Sequence, residues 1–314
     1  MDNVLITGAM GFIGSHLCQK FISEGFKVYG IDNLITGEIG NLDKLMESDD
    51  FHFIKSDVTE DLYLEPNFDL ILHFACPASP DDFLKFSIET MKANSLGTLK
   101  TLELAHLNDA RYVFASTSEV YGDPLVNPQN EGYWGNVNPI GPRSVYNEAK
   151  RFSEALSIAY HKKNGLDVRI PRIFNTYGPN MGIDDGRVVP NFIIQALRGE
   201  PLSVYGDGSQ TRSLCYIDDL VEGIFKMSLI DDLLGPVINL GNPEEYSIID
   251  LARLIIKKTG SSSEVIFKSL PIDDPRQRCP DIKIAKDILN WQPKTMLDAG
   301  LDETIHFFRS KLTE

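Results

Sequence analysis

A short apolar run, Val4-Leu5-Ile6-Thr7, is followed by Gly8-Ala9-Met10-Gly11-Phe12-Ile13-Gly14 and then by apolar positions at helical spacing from Ser15 to about Glu24. Gly25 closes that helix, and Lys27-Val28-Tyr29-Gly30-Ile31 makes a second strand ending at Asp32. The alternation continues with strands predicted over 51–55, 68–73, 111–115 and 167–172 and helices near 83–107 and 144–164. Strands alternating with helices predict an α/β fold, a doubly wound parallel sheet covered on both faces. From about Asn175 the pattern loosens into Pro/Gly punctuation around a helix at 188–198, and the chain returns to the sheet near 213–241. The expected division is a sheet domain, 1–172 plus about 213–241, and a smaller C-terminal domain, 173–212 plus 242–314.

Composition narrows the class. With 314 residues, 42% hydrophobic and 24% charged, the chain can bury a sizeable core, which excludes intrinsic disorder and a disulfide mini-protein. Its 30 Lys+Arg against 45 Asp+Glu give a formal net charge of −15, so neither a nucleic-acid backbone nor a polybasic membrane contact is an expected partner. An anionic ligand must then be held by a few placed cations inside a pocket. Cys18, Cys76, Cys215 and Cys279 are widely spaced, with no CxxC and no His cluster, which predicts a reduced, cytoplasmic chain without a metal site. No apolar run approaches the ~18 residues of a membrane span, and Met1-Asp2-Asn3 opens a strand where a signal peptide would carry a basic region.

Gly8, Gly11 and Gly14 stand between a strand and a helix, where they permit a tight turn, backbone approach to a pyrophosphate and close helix packing. Asp32, ending the second strand, places a carboxylate for both ribose hydroxyls and repels a 2′-phosphate, which predicts NAD as the cofactor instead of NADP. Asp57-Val58 follows the third strand and can reach the adenine amino group, and Phe74-Ala75-Cys76 follows the fourth, where such sheets face their ligands. Cys76 reads as a small packed residue, since nothing cationic stands beside it in sequence to activate a thiol. Tyr146 and Lys150 lie four apart on one helical face, so an ammonium that lowers the phenol's pKa would make Tyr146 a general base for an alcohol. Thr117, after the fifth strand, offers a hydroxyl to the same substrate oxygen.

The glycine turn, the Ser/Thr-rich strand end, YxxxK and Arg172-Ile173-Phe174-Asn175-Thr176-Tyr177-Gly178-Pro179 together resemble the extended short-chain dehydrogenase/reductases that act on nucleotide sugars. Within that family the chain is most similar to the UDP-glucuronate decarboxylases, or UDP-xylose synthases. The likeness rests on residues 116–124, on Tyr133-Trp134-Gly135-Asn136-Val137-Asn138-Pro139-Ile140-Gly141-Pro142-Arg143, on Asp185-Gly186-Arg187-Val188-Val189 and on residues 273–282. It covers essentially the whole chain.

The resemblance implies NAD-dependent oxidation at C4 of UDP-glucuronate, loss of CO2 from the resulting β-keto acid, and return of the hydride, with no net redox. Dehydratases of the family carry an Asp-Glu pair after the Thr, and here the pair is Ser118-Glu119, which lacks the acid that hydroxide departure needs. Glu119 also argues against a 4-epimerase, although a 4,6-dehydratase, a 4-epimerase and a non-catalytic NAD-binding regulator remain the alternatives. Glu119 is expected to position sugar hydroxyls or a water. Arg278 would clamp the C6 carboxylate and orient the water that protonates C5, because a guanidinium is a poor proton donor. Cys279 departs from the family's usual lysine and removes a second cation there.

By the same resemblance the cofactor set extends to Phe12, Ile13, Asn33, Leu34, Thr36, Gly37 and Thr176, with Tyr146 and Lys150 at the nicotinamide ribose. The smaller domain would take UDP through Asn175, Arg187, Tyr205, Gln210 and Arg212, the arginines on the diphosphate and Tyr205 on uracil. Lys92 and Asn94 would contact cofactor and sugar, and Leu62 and Tyr63 would line the substrate. Family members pair the helices near 83–107 and 144–164 into a homodimer. The acidic excess is expected on the outer surface, away from the cations of the cleft.

Overall fold

The computed structural model describes every residue except 1, 232, 234–236, 271, 272, 274, 276 and 314. The chain starts with β1 (Asn3–Thr7), α1 (Phe12–Ser23), β2 (Lys27–Asp32), β3 (Phe51–Lys55) and β4 (Leu70–His73). Next come α2 (Pro80–Lys85), α3 (Ser87–Lys92), a π-helical stretch (Ala93–Gly97), α4 (Thr98–Leu107), β5 (Arg111–Phe114), β6 (Ser116–Thr117), α5 (Ser144–Asn164) and β7 (Val168–Ile173). The remainder is β8 (Thr176–Tyr177), α6 (Val188–Arg198), β9 (Leu202–Tyr205), β10 (Thr211–Ser213), β11 (Cys215–Tyr216), α7 (Ile217–Leu229) and β12 (Val237–Leu240). β13 (Glu245–Ser247), α8 (Ile248–Thr259), β14 (Val265–Lys268), α9 (Lys283–Leu289) and α10 (Leu297–Lys311) complete it.

The main sheet is parallel, in the order β12-β7-β5-β4-β1-β2-β3, with β6 paired to β7 beyond β5. The chain moves outward from β1 to β2 and β3, then crosses to β4 on β1's other side. That reversal opens a crevice at the carboxyl ends of β1 and β4, where ligands of such sheets bind. Alternate residues of the central strands feed two cores. Val4, Ile6 and Leu72 join Phe21, Ile224, Trp291 and Phe308, so one core runs from under α1 into the C-terminal part. Leu5, Ile71, Tyr112 and Phe114 pack with Leu102 and Ile170 on the opposite face.

Two expectations are corrected. The helix predicted near 83–107 is broken at Phe86 (φ −110, ψ 48), between α2 and α3, and widens into the π-helical stretch after Lys92. That widening follows from outside partners: Ser153 donates to the Asn94 carbonyl and His73 Nε2 lies 3.3 Å from the Ala93 carbonyl, which draws both carbonyls from the regular ladder. Of the segment predicted to return to the sheet at 213–241, β12 alone joins it; β11 pairs with β8 and β10 with β13 in small separate sheets.

The turn from β1 into α1 is held by backbone contact. Gly8 has φ +71, a conformation unfavourable to other residues, and its amide donates to Ile31 O at 2.8 Å. A Cβ on Gly14 would stand 1.9 Å from the Gly8 carbonyl oxygen. Gly14→Ala is therefore expected to cost about 1–3 kcal/mol by overpacking, measured as a lowered urea midpoint; an unchanged midpoint would contradict this account of the turn.

Candidate active site

A cleft of about 1040 Å³ opens at the crevice between β1 and β4 and extends over the C-terminal part. It brings together Gly8, Gly11, Phe12, Ile13, Gly14, Thr36, Phe74, Cys76 and Thr176 at one end. Thr117, Ser118, Glu119, Tyr146, Lys150 and Arg278 line it too, as do Asn175, Arg187, Tyr205, Gln210 and Arg212, with the Arg187 guanidinium 5.6 Å from the Phe12 ring centre. Leu62, Tyr63 and Lys92 do not line it: Leu62 packs beside the Val58 core, Tyr63 is 91% exposed, and Lys92 faces Asp57 from the surface. Asn94 lies behind the wall, donating to Cys76 Sγ at 2.9 Å.

The dinucleotide end has the features an NAD molecule requires. Gly8 has no room for a Cβ against the backbone of Phe74 and Ala75, at 2.8 Å, and α1 starts at the cleft with its amides forward. Asp32, buried at the end of β2, accepts from the amides of Met10 (3.0 Å) and Leu34 (2.7 Å), and burial raises its pKa. Leu34 reaches that bond with φ +64, and Gly37 passes so near that a Cβ would meet the Asp32 carboxylate at 2.9 Å. Asn33 donates to Asp57 at 2.8 Å, tying the ends of β2 and β3. Asp57 titrates below the ordinary range despite burial, because Thr59 and Asn33 hydrogen-bond its carboxylate. Val58 is buried beneath these groups. Burial raises the Cys76 thiol, which keeps it protonated.

Tyr146 and Lys150 sit in the buried stripe of α5 that includes Ala149, Ser153 and Ser157. Lys150 Nζ donates to the Ala115 carbonyl at 2.8 Å and lies 5.8 Å from the Tyr146 ring centre, while burial raises the phenol's pKa and lowers the ammonium's. The Thr117 hydroxyl, hydrogen-bonded to the phenol, and the charge of Arg187 oppose that rise. Phe83 stacks on Tyr146 at 5.1 Å and 11°, which holds the ring against one wall. Behind the pair, His73 Nδ1 is 2.8 Å from Thr7 Oγ1, and burial followed by the Lys150 charge lowers this imidazole to about 3, so it is a neutral strut.

Glu119 is the centre of an ion cluster. Its carboxylate accepts from Arg143 Nη2 at 2.8 Å and from Arg278 Nη1, and Arg278 also donates to the Gly122 carbonyl at 3.0 Å. Burial alone would raise Glu119, but the charges of Arg278 and Arg143 outweigh it and bring its pKa from 4.5 to about 2. Arg278 thus faces Glu119 directly, with its Nε buried and without a hydrogen-bond partner. Arg143 was not among the candidate site residues; the signal for it is its place at the end of the 133–143 block, three residues before Tyr146. Arg187 forms a two-pronged pair with Asp185, both contacts 2.5 Å, and Gln210 donates to the Tyr205 carbonyl at 2.6 Å. Asp81, Asp82, Asp184 and Asp185 also line the cleft, so the acidic excess is not confined to the outer surface.

A parallel sheet with a glycine turn at its switch point, and a buried Tyr/Lys helix beside it, defines an extended short-chain dehydrogenase/reductase. The chain belongs to the GDP-mannose 4,6 dehydratase family, whose model matches residues 5–304. It is 50% identical over 309 residues to UDP-glucuronic acid decarboxylase 1 of Xenopus tropicalis, covering 98% of this chain and 72% of that one. It is likewise 50% identical over 310 residues to UDP-glucuronic acid decarboxylase 6 of Arabidopsis thaliana, covering 98% and 89%. The crystal structure of UDP-glucuronic acid 4-epimerase from Bacillus cereus, in complex with UDP-glucuronic acid and NAD, superposes with a TM-score of 0.87 at 30% identity, over 98% of this chain and 99% of that one. No helix among the described residues is long and apolar enough to cross a membrane.

Because Glu119's folded pKa of about 2 lies below its ordinary 4.5, its stabilisation is full above that ordinary value and is lost as pH falls toward 2. Glu119→Gln removes the carboxylate that faces the buried Arg278 guanidinium and is expected to cost about 3–5 kcal/mol at neutral pH in urea unfolding. The deficit should shrink as pH falls through that window; a constant small deficit would contradict the cluster's role.

Proposed function

We propose that this chain converts UDP-glucuronate to UDP-xylose and CO2 with NAD as a recycled cofactor. The observation that carries the reading is an ionised Glu119 between Arg143 and Arg278, on the same cleft wall as Tyr146 and Thr117. Hydroxide expulsion needs a protonated acid at that place, and the wall offers Ser118 and a carboxylate held at about 2. CO2 needs none. The decarboxylase relatives support the same choice.

NAD held at the glycine turn and by Asp32 supplies a positive charge beside the phenol and takes and returns a hydride at C4. Tyr146 accepts the proton of the C4 hydroxyl, Thr117 hydrogen-bonds the same oxygen, and Lys150 holds the ribose side of the site. A ketone at C4 stands β to the C6 carboxylate, so the C5–C6 bond breaks with its electrons entering an enolate. Arg278 engages the C6 carboxylate and then orients the water that protonates C5, while Glu119 and Arg143 fix the Arg278 plane. Arg187 and Arg212 bind the diphosphate and Tyr205 the uracil, with Asn175 and Gln210 beside them. Residues 1–172 with about 213–241 form the NAD-binding domain, and 173–212 with 242–314 the UDP-sugar domain. A homodimer is supported by the exposed Leu84, Ile88, Met91 and Phe152 on α2, α3 and α5. Four cysteines without disulfides support a cytoplasmic location.

Purified protein given UDP-glucuronate and a trace of NAD is expected to release CO2 and form UDP-xylose, followed by NMR, without stoichiometric NAD consumption. A 4-epimer of the uronate as sole product, or unchanged substrate, would contradict the reading. Tyr146→Phe should lower kcat by at least about 10²-fold while retaining UDP affinity.

A further inference from the structure

Behind the catalytic wall lies a second cavity of about 270 Å³. Its inner end is formed by Glu119, Arg143 and Arg278, which also line the large cleft, so the ion cluster is a partition between two spaces. Its rim is made by Asp123, Asn136, Asn138 and Asp273, all exposed. Two segments singled out in the sequence, 133–143 and 273–282, meet at that rim, where Asn138 Nδ2 donates to Asp273 Oδ2 at 3.0 Å. Asp274 and Arg276 of the second segment lie outside the described residues. Two lining residues carry buried polar atoms without a hydrogen-bond partner: Arg278 Nε, a donor, and Asn147 Oδ1, an acceptor, on side chains of residues 2% and 6% exposed. Buried groups of this kind are ordinarily satisfied by ordered water, and the cavity has space for several.

Building on the decarboxylase reading, we propose that this side chamber is the water inlet and CO2 outlet of the active site, with the Glu119–Arg143–Arg278 cluster as its inner gate. A nucleotide sugar in the large cleft blocks that approach to C5, whereas the chamber reaches the same wall from solvent. None of the cluster's side chains gives up a proton readily: Glu119 is already ionised, and a guanidinium does not deprotonate. Tyr146 is engaged at the C4 oxygen. The C5–C6 bond breaks, CO2 departs and its bonding pair passes into the enolate; chamber water gives a proton to C5, and the hydroxide left behind is reprotonated from solvent through the chamber. Uronate plus one solvent proton thus become the C5-protonated ketone plus CO2, with nothing oxidised or reduced in the step.

The test narrows the rim. Asn138→Phe is expected to lower kcat by about tenfold or more, with KM for UDP-glucuronate and the affinity for UDP unchanged. It should also raise the share of turnovers that end as the 4-ketopentose nucleotide and enlarge the solvent isotope effect. Asn138→Ala, which widens the rim, should keep the wild-type kcat and product ratio. A folded Asn138→Phe with both at wild-type values overturns the route, and so does equal slowing by Asn138→Ala, which assigns the effect to the lost bond to Asp273. If Asn138→Phe fails to fold, Asn136→Phe makes the same test from another point of the rim. Wild-type protein that forms no pentose overturns the decarboxylase reading itself, whereas an active wild type with an insensitive rim overturns the route alone.

Discussion

Glu119 binds together three distant pieces of chain: the turn after β6, the start of α5 through Arg143, and the C-terminal part through Arg278, 159 residues away. A buried charge is costly unless paired, and here one carboxylate faces two guanidiniums, of which Arg278 sits almost entirely out of water. Arg278, which lines the cleft with Tyr146, also keeps a buried Nε without a hydrogen-bond partner. A ligand carboxylate is the natural complement of such a cation, and it is the one group that distinguishes a uronate from the corresponding hexose.

The cleft handles anions within a strongly acidic protein by local balance. Its described lining has six acidic and seven basic side chains, against −15 for the chain as a whole. Arg187 is oriented by Asp185, Asp32 by two amides, and Lys150 by a carbonyl, so most charges are aimed before any ligand arrives. Preorganisation of this sort also explains the neutral His73 and the stacked Phe83, which set the position of the π-helical stretch and of the Tyr146 ring without titrating themselves.

Much of the architecture was legible because it is written in local periodicity. The β1–α1–β2 unit, α5 at 144–164 and α6 at 188–198 follow from apolar spacing, with Gly25 closing α1. The π-helical widening after Lys92 was not, since it depends on the Ala93 and Asn94 carbonyls engaged by His73 and Ser153. Arg143 and the Arg278–Glu119 contact left no trace in spacing, because they are tertiary pairings between segments with no shared period. The family resemblance implied Lys92 as a contact of cofactor and sugar, yet α3 leaves it at the surface beside Asp57.

Carbon leaves as CO2 while the hydrogen at C4 stays with its sugar. The most direct measurement is turnover of UDP-glucuronate in D2O with NMR assignment of deuterium in the product. The account predicts a UDP-pentose with one deuterium at C5 and none at C4. A six-carbon product, or a pentose labelled at C4, would contradict it.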